Sequence, residues 1–159
     1  EILINTNSQE FKSKKLSEMA LEVVDIEGIG NYTIGSYRKK FSDDQMKEYR
    51  FLFKKYFLKS FTSRLTDYSE PKIEVLSIEV LNPKYVMVKS ILLATNKKPE
   101  VKIDWRVYTK NPNKPLIRDL IIEGLSLARV QKEEFASVIE TNNGDVTKLF
   151  TTLKEFINK

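Results

Sequence analysis

The chain contains no cysteine and no histidine. The first absence excludes a disulfide, a thiolate nucleophile and a thiolate metal site. The second removes the commonest general base and the commonest metal ligand. Glycine is sparse, with 5 in 159 residues, and the single tryptophan is Trp105. No apolar run reaches the length that spans a bilayer. Lysine and arginine number 27 against 22 aspartate and glutamate, a net +5. The cations are scattered, no run of them would track a phosphate backbone, and the sheet segments lack an RNA-binding signature, so a nucleic-acid partner is not expected. The balance suits either a self-repelling, soluble surface or attraction to an anionic partner. With 41% hydrophobic and 31% charged residues, the composition is globular. The length suits one domain with a sizeable core, taken as 1–159. The chain starts at Glu1 rather than Met, as it would after removal of a secretory signal peptide or after trimming.

Three kinds of segment follow one another. Helical spacing predicts a helix over 8–24, from Phe11, Leu16, Met19, Ala20, Val23 and Val24. Asp25 stands as an N-cap before a short second helix with Ile26, Ile29 and Tyr32. Ser42-Asp43-Asp44-Gln45 is a capping box, flanked by Phe41 and Met46 as a hydrophobic staple. The helix it opens should run to about Thr66. Met46, Tyr49, Phe51, Leu52, Phe53, Tyr56, Phe57, Leu58, Phe61 and Leu65 cover most of its circumference, which predicts burial on most sides. From Pro71 the period becomes two. Four strands are expected between about 72 and 123, turned by Asn82-Pro83-Lys84, Asn96-Lys97-Lys98-Pro99 and Asn111-Pro112-Asn113. If the second hairpin is symmetric about its turn, Ser90 faces Trp105 and Leu92 faces Ile103. Gly124 ends the sheet, Ser126 is the expected N-cap of a helix to about Glu140, and Asp145 opens a last helix, so the C-terminal helices occupy about 126–157. Helices, then sheet, then helices make an α+β domain: a four-stranded twisted antiparallel meander packed against N- and C-terminal helices.

Three constellations invite a catalytic or metal reading. Gly124-Leu125-Ser126-Leu127-Ala128 resembles the nucleophile elbow of α/β-hydrolases, but that mechanism needs a base, normally histidine, and a parallel sheet. An N-cap explains the serine without either. Asp104, Arg106 and Asp119 all lie on strands, with Asp104 and Arg106 on the face opposite Trp105. Their plainest role is an ion pair on a solvated outer face. Asp43, Asp44 and Glu48, or Glu133 and Glu134, are spread along helices and do not converge as metal ligands must. No catalytic residue, metal or cofactor is therefore expected. What remains is apolar surface on the sheet's inner face and the aromatic helix, readable as a filled core or as the lining of a hollow.

The stretch VKIDWRVYTKNPNKPLIRDLIIEGLSLARVQKEEFASVI resembles the MlaC family, also known as toluene-tolerance auxiliary proteins. The matching residues are Asp104, Trp105, Asp119, Ile121, Ile122, Glu123, Gly124, Ser126, Leu127 and Phe135. In the N-terminal half, Gly35, Tyr37, Arg38, Ser42, Gln45, Tyr49, Phe53 and Tyr56 fit the family's Leu-Gly-x-Tyr/Trp and capped aromatic helix. The likeness runs from about Leu16 to Phe156. Two sites depart from it: Pro115, where members usually carry Trp, and Val130-Gln131-Lys132-Glu133-Glu134-Phe135 in place of Asn-Tyr-Arg-x-x-Phe. Both bear on partner contacts more than on the fold.

The resemblance implies a periplasmic protein, expected as a monomer, that holds phospholipid tails in a hydrophobic pocket as cargo. It implies two partners, an inner-membrane ABC transporter with MCE-domain subunits and an outer-membrane lipoprotein–porin complex. It also bears on outer-membrane lipid asymmetry. Each buried methylene is worth roughly 0.8 kcal/mol, so a two-chain lipid needs shelter to cross water, and sheltering requires no chemistry. The residues expected to line the pocket are Phe53, Tyr56 and Phe57 on the long helix, Val86, Val88, Leu92, Val101, Ile103, Trp105 and Val107 on the sheet, and Phe135 and Ile139 on the C-terminal helix. Two other readings compete: a cone-shaped α+β enzyme, which would need Asp, His or Tyr on the inner face, and a protein-interaction module with a filled core.

Overall fold

The computed structural model describes residues 8–66 and 71–159. Its elements follow the chain as α1 (Gln9–Val23), α2 (Ile26–Ile34), a 3₁₀ helix (Gly35–Lys40), α3 (Asp43–Leu65), β1 (Ile73–Asn82), β2 (Tyr85–Leu92), β3 (Val101–Tyr108), β4 (Leu116–Ile122), β5 (Leu125–Ser126), α4 (Leu127–Thr141) and α5 (Thr147–Asn158). The class is α+β with an antiparallel sheet, as the change of period indicates. The sheet has five strands in the order β1-β2-β3-β4-β5, one more than the four expected. The extra strand is only Leu125–Ser126. Glu123 and Gly124, both at positive φ, turn the chain back so that Ser126 pairs with Ile121. A two-residue strand is too short to show alternation.

The described residues form two compact units. One holds α1, the sheet and the last residues of α3; the other holds α2, the 3₁₀ helix, most of α3, α4 and α5. In the first, the C-terminus of α1 is tied to β4. Val24 bridges Ile117, and the Asp25 amide donates to the Ile117 carbonyl at 2.9 Å. The Asp25 carboxylate, expected to cap α2, accepts from Arg118 Nε at 2.7 Å. Arg118 is the extra residue of a bulge in β4; its guanidinium lies 3.8 Å from the Tyr108 ring centroid and Nη1 donates to the Tyr85 hydroxyl at 2.5 Å. Burial opposes the Arg118 charge, and the hydrogen bonds it donates to Asp25 and Tyr85 outweigh that, so its pKa is raised.

In the second unit the capping box forms as expected. The Gln45 side chain accepts from the Ser42 amide at 2.9 Å, and the Ser42 hydroxyl accepts from the Gln45 amide at 3.2 Å. Phe41 packs its ring 5.8 Å from those of Tyr49 and Phe150. Burial on most sides of α3 does not hold. Tyr49, Leu52 and Phe53 are buried, whereas Phe51 is 59% exposed, with Lys55 Nζ 4.3 Å from its ring centroid. The ammonium over the ring face is a cation–π contact, and the ring remains largely in water. Tyr49 is fully enclosed, and burial pushes its phenol pKa up. Its hydroxyl donates to the Gly30 carbonyl at 2.9 Å and lies 2.9 Å from Thr33 Oγ1. The approach is close: a Cβ on Gly30 would stand 2.7 Å from Phe53 Cδ1. Asp145 accepts from the amide and hydroxyl of Thr147 at 2.9 and 2.7 Å, which fastens the start of α5 one residue later than a simple N-cap would.

Candidate functional site

The sheet register defines one face. Val88 of β2 pairs with Trp105 of β3, which pairs with Leu120 of β4. Val86–Val107–Ile117, Ser90–Ile103–Ile122 and Leu92–Val101 lie in parallel rows. Directly paired residues project to the same side, and every second residue along a strand joins them. All seven sheet positions expected to line a pocket (Val86, Val88, Leu92, Val101, Ile103, Trp105 and Val107) therefore share this face.

The rows themselves are shifted by two residues from a symmetric hairpin. Ser90 faces Ile103, not Trp105, and Leu92 faces Val101, not Ile103. The turn explains the shift. The Thr95 amide donates to the Lys98 carbonyl at 2.8 Å, and Thr95 Oγ1 accepts from the amides of Lys97 and Lys98 at 3.3 and 3.1 Å. The turn is thus centred between Asn96 and Lys97, one residue before the middle of Asn96–Pro99, and that moves the register by two. A two-residue shift preserves the face. Ser90 and Trp105 still meet, on the diagonal: the indole N–H donates to Ser90 Oγ at 2.8 Å, and that hydroxyl donates to the Ile103 carbonyl at 2.7 Å. The one polar side chain in these rows is satisfied within the face and is 1% exposed.

β1 extends the face with residues absent from the expected lining. Val80 pairs with Val86, Ile78 with Val88, Val75 with Ser90 and Ile73 with Leu92. Leu76 has no partner, because a bulge lies between Val75 and Ser77. The bulge changes the phase: simple alternation groups Leu76 with Ile78 and Val80, whereas the paired set is Ile73, Val75, Ile78 and Val80. Exposure rises sharply along the rows. Leu92 is 8% exposed and the other apolar β2 and β3 residues of the face are half-buried, but Ile78 and Val80 are 67% and 73% exposed. An apolar sheet face open at one edge is unusual in a soluble domain, which rarely leaves contiguous apolar surface uncovered.

The opposite face is mixed, with Met87, Ile91 and Ile121 among charged residues. Glu79 pairs with Lys89 at 2.9 Å, and that bond raises the lysine pKa. Asp104 and Arg106 both project here, but among the described residues no ion pair joins them; Asp104 stands across from Lys89. Asp119 is buried and accepts from the Ser126 hydroxyl at 2.5 Å. Ser126 directly precedes α4, where an N-cap stands, and its hydroxyl also clasps β4 to β5. Among the described residues no group of three acidic side chains is placed to hold a metal ion, and no helix is long and apolar enough to cross a membrane.

The five helical candidates lie in the other unit. Phe53 sits 6.2 Å from Phe135 and 6.3 Å from Phe57, and Tyr56 sits 5.8 Å from Phe135 (centroid to centroid). Phe53, Phe135 and Ile139 are buried, the last completely, while Tyr56 and Phe57 are half-buried. The Tyr56 hydroxyl donates to Gln131 Oε1 at 2.5 Å. This group packs as a core whose open side is Tyr56 and Phe57.

The family model described as "MlaC protein" matches residues 3–155. The chain belongs to the MlaC family. Among solved structures, a phospholipid-binding protein from Ralstonia solanacearum, in complex with a phospholipid, superposes with a TM-score of 0.77. It is 22% identical, and the match covers 95% of this chain and 83% of that one. At that identity the likeness establishes the MlaC-type fold. Comparison with curated proteins gives no match.

Proposed function

We propose that this protein binds phospholipid, shelters the acyl chains against the apolar sheet face, and carries the lipid between membranes without chemical change. The observation that carries the proposal is the open apolar face: Ile73, Val75, Ile78 and Val80 continue a hydrophobic surface on the sheet and are 49–73% exposed. Folding has left them in water, where each costs free energy that acyl chains would recover. Membership of the MlaC family and the phospholipid in the related Ralstonia protein support this reading. The half-buried Trp105, Val86, Val88 and Val107 are the further residues proposed to touch lipid.

The carrier role, the periplasmic location, a monomeric state, and exchange with an inner-membrane transporter and an outer-membrane lipoprotein–porin complex complete the proposal. The test is direct. Protein purified gently from a bacterial host is extracted with organic solvent, and the extract is analysed by mass spectrometry. Phospholipid near one molecule per chain is expected, with exchange into labelled liposomes. An empty extract together with no uptake from liposomes would overturn the proposal.

A further inference from the structure

The apolar sheet face closes along its length as well as across it. On β1 the exposure falls in order from Val80 (73%) through Ile78 (67%) and Val75 (60%) to Ile73 (49%). On β2 Val86 and Val88 are half-buried, whereas Ser90 and Leu92, the next two on the same face, are buried. The rows are therefore open beside the β1–β2 turn and closed toward the β2–β3 turn, and the change falls between the Val88 row and the Ser90 row. One side chain crosses that boundary. Trp105 belongs to the Val88 row, and its indole N–H donates at 2.8 Å to Ser90 Oγ in the next. The ring thus bridges two rows that lie about 7 Å apart along the strand, the spacing of alternate residues.

Ser90 determines where the indole points. Its hydroxyl has one proton, donated to the Ile103 carbonyl at 2.7 Å. The oxygen is then left to accept, and the Trp105 N–H is the donor that reaches it. An acyl chain offers no acceptor, so an indole that faces lipid needs one from the protein. The polar end of a lipid has its place at the open end of the rows. There the Thr109 amide donates to the Lys84 carbonyl at 2.8 Å and ties the β3–β4 turn to the β1–β2 turn. Residues 81–84 and 109–115 bring Lys84, Lys110 and Lys114 and no acid, which suits a phosphate. The β2–β3 turn instead mixes Lys97 and Lys98 with Glu100. Acyl chains with their phosphate at the lysine turns run along the open rows toward Trp105. We infer, on the lipid reading proposed above, that Ser90 is a positioning residue: it fixes the Trp105 indole as the stop for the acyl chains and so sets the chain length this face accepts.

The experiment loads the intact protein from liposomes containing equal amounts of dipalmitoleoyl- and dieicosenoyl-phosphatidylglycerol, and mass spectrometry reads the ratio of the two lipids bound. The wild type should favour the shorter chains. Ser90→Ala should lower that preference by about fivefold, the worth of one neutral hydrogen bond, whereas Ser90→Thr, which keeps the hydroxyl, should retain it. A merely structural serine would change the melting temperature and the total lipid bound but not the ratio. Trp105 supplies a second measurement that needs no variant and holds even if Ser90→Ala folds poorly. Its fluorescence should be quenched more by phosphatidylglycerol brominated near the methyl end of its chains than by the same lipid brominated near the glycerol. No chain-length preference in the wild type, an unchanged preference in Ser90→Ala, or stronger quenching by the glycerol-end label would overturn the inference while leaving lipid binding in place. Protein that takes up neither lipid would overturn the lipid reading, and this inference with it.

Discussion

Replacing Val80 by Lys separates lipid binding from folding, and Leu92→Arg is its counterpart. Both side chains belong to the apolar sheet face, but Val80 is 73% exposed and Leu92 only 8%. Fully burying a valine contributes about 1.5–3 kcal/mol, so losing the buried quarter of Val80 costs less than about 1 kcal/mol. The lysine stem lies along the surface and its ammonium reaches water, which trims the loss further. Leu92→Arg forfeits nearly all of the leucine's burial, about 1.5–3 kcal/mol, and adds several kcal/mol for an unpaired buried charge. Against a total stability of about 5–15 kcal/mol, that threatens the fold. Two measurements on each variant decide the matter: a melting curve, and the phospholipid retained after incubation with liposomes. Val80→Lys should melt within a few degrees of the wild type and hold about tenfold less lipid, because a charge among acyl chains must be desolvated. Leu92→Arg should fail in the melting curve first. If Val80→Lys loads lipid as the wild type does, the acyl chains do not rest on this face. If it melts as low as Leu92→Arg, β1 is structurally covered and the reasoning from exposure is wrong.

Three further outcomes follow from single contacts. Ser126→Ala removes the hydroxyl that donates to the buried Asp119 carboxylate at 2.5 Å, so stability should fall by about 1.5–3 kcal/mol in denaturant titration while lipid transfer persists; a folded variant without transfer would point to chemistry at the serine. Gly30→Ala puts a Cβ 2.7 Å from Phe53 Cδ1 and should cost about 1–3 kcal/mol, and an unchanged denaturation midpoint would show that the Phe53 ring yields freely. Loading with bromine-labelled phospholipid should quench the fluorescence of Trp105, the only tryptophan, which is half-buried on the apolar face. Unchanged emission from protein shown to hold that lipid would place the tails away from the β2–β3 rows.

Local signals in the sequence carried most of the fold. The capping box at Ser42–Gln45 formed as expected, because both its hydrogen bonds are made within four residues. The strands of the meander appeared where period-two segments and turn residues placed them. The errors lie where a single hydrogen bond outranks a pattern. Thr95 Oγ1 drew the β2–β3 turn one residue toward the N-terminus, and composition around Asn96–Pro99 gives no warning of it. Asp25 reaches Arg118, 93 residues away, and Ser126 reaches Asp119. Such long-range partners depend on tertiary geometry and leave no local pattern in the sequence. The aromatic excess of α3 predicts burial on most sides, but a count of apolar residues does not reveal that Phe51 stays 59% exposed beneath the Lys55 ammonium.

The open apolar face is less legible than the fold for a related reason. Alternation finds the residues of an inner face but treats a filled core and an open lining alike: Leu92 and Val80 carry the same signal and end 8% and 73% exposed. The difference comes from position within the sheet, because β1 is the edge strand. An edge strand of an ordinary soluble domain is kept short, charged or covered, since unpaired backbone and apolar side chains together invite aggregation. Here β1 is ten residues long and aliphatic on the face it shares with β2, and its chief defences are two bulges and the outward Glu79. Those bulges hinder a neighbouring strand from pairing along the edge but do nothing to cover the aliphatic face. Such a strand resists protein partners that would add to the sheet while leaving its side chains open to a ligand that needs no backbone hydrogen bonds. Acyl chains fit that description, which is why the exposure of Ile78 and Val80, more than the total apolar content, supports the proposed lipid reading.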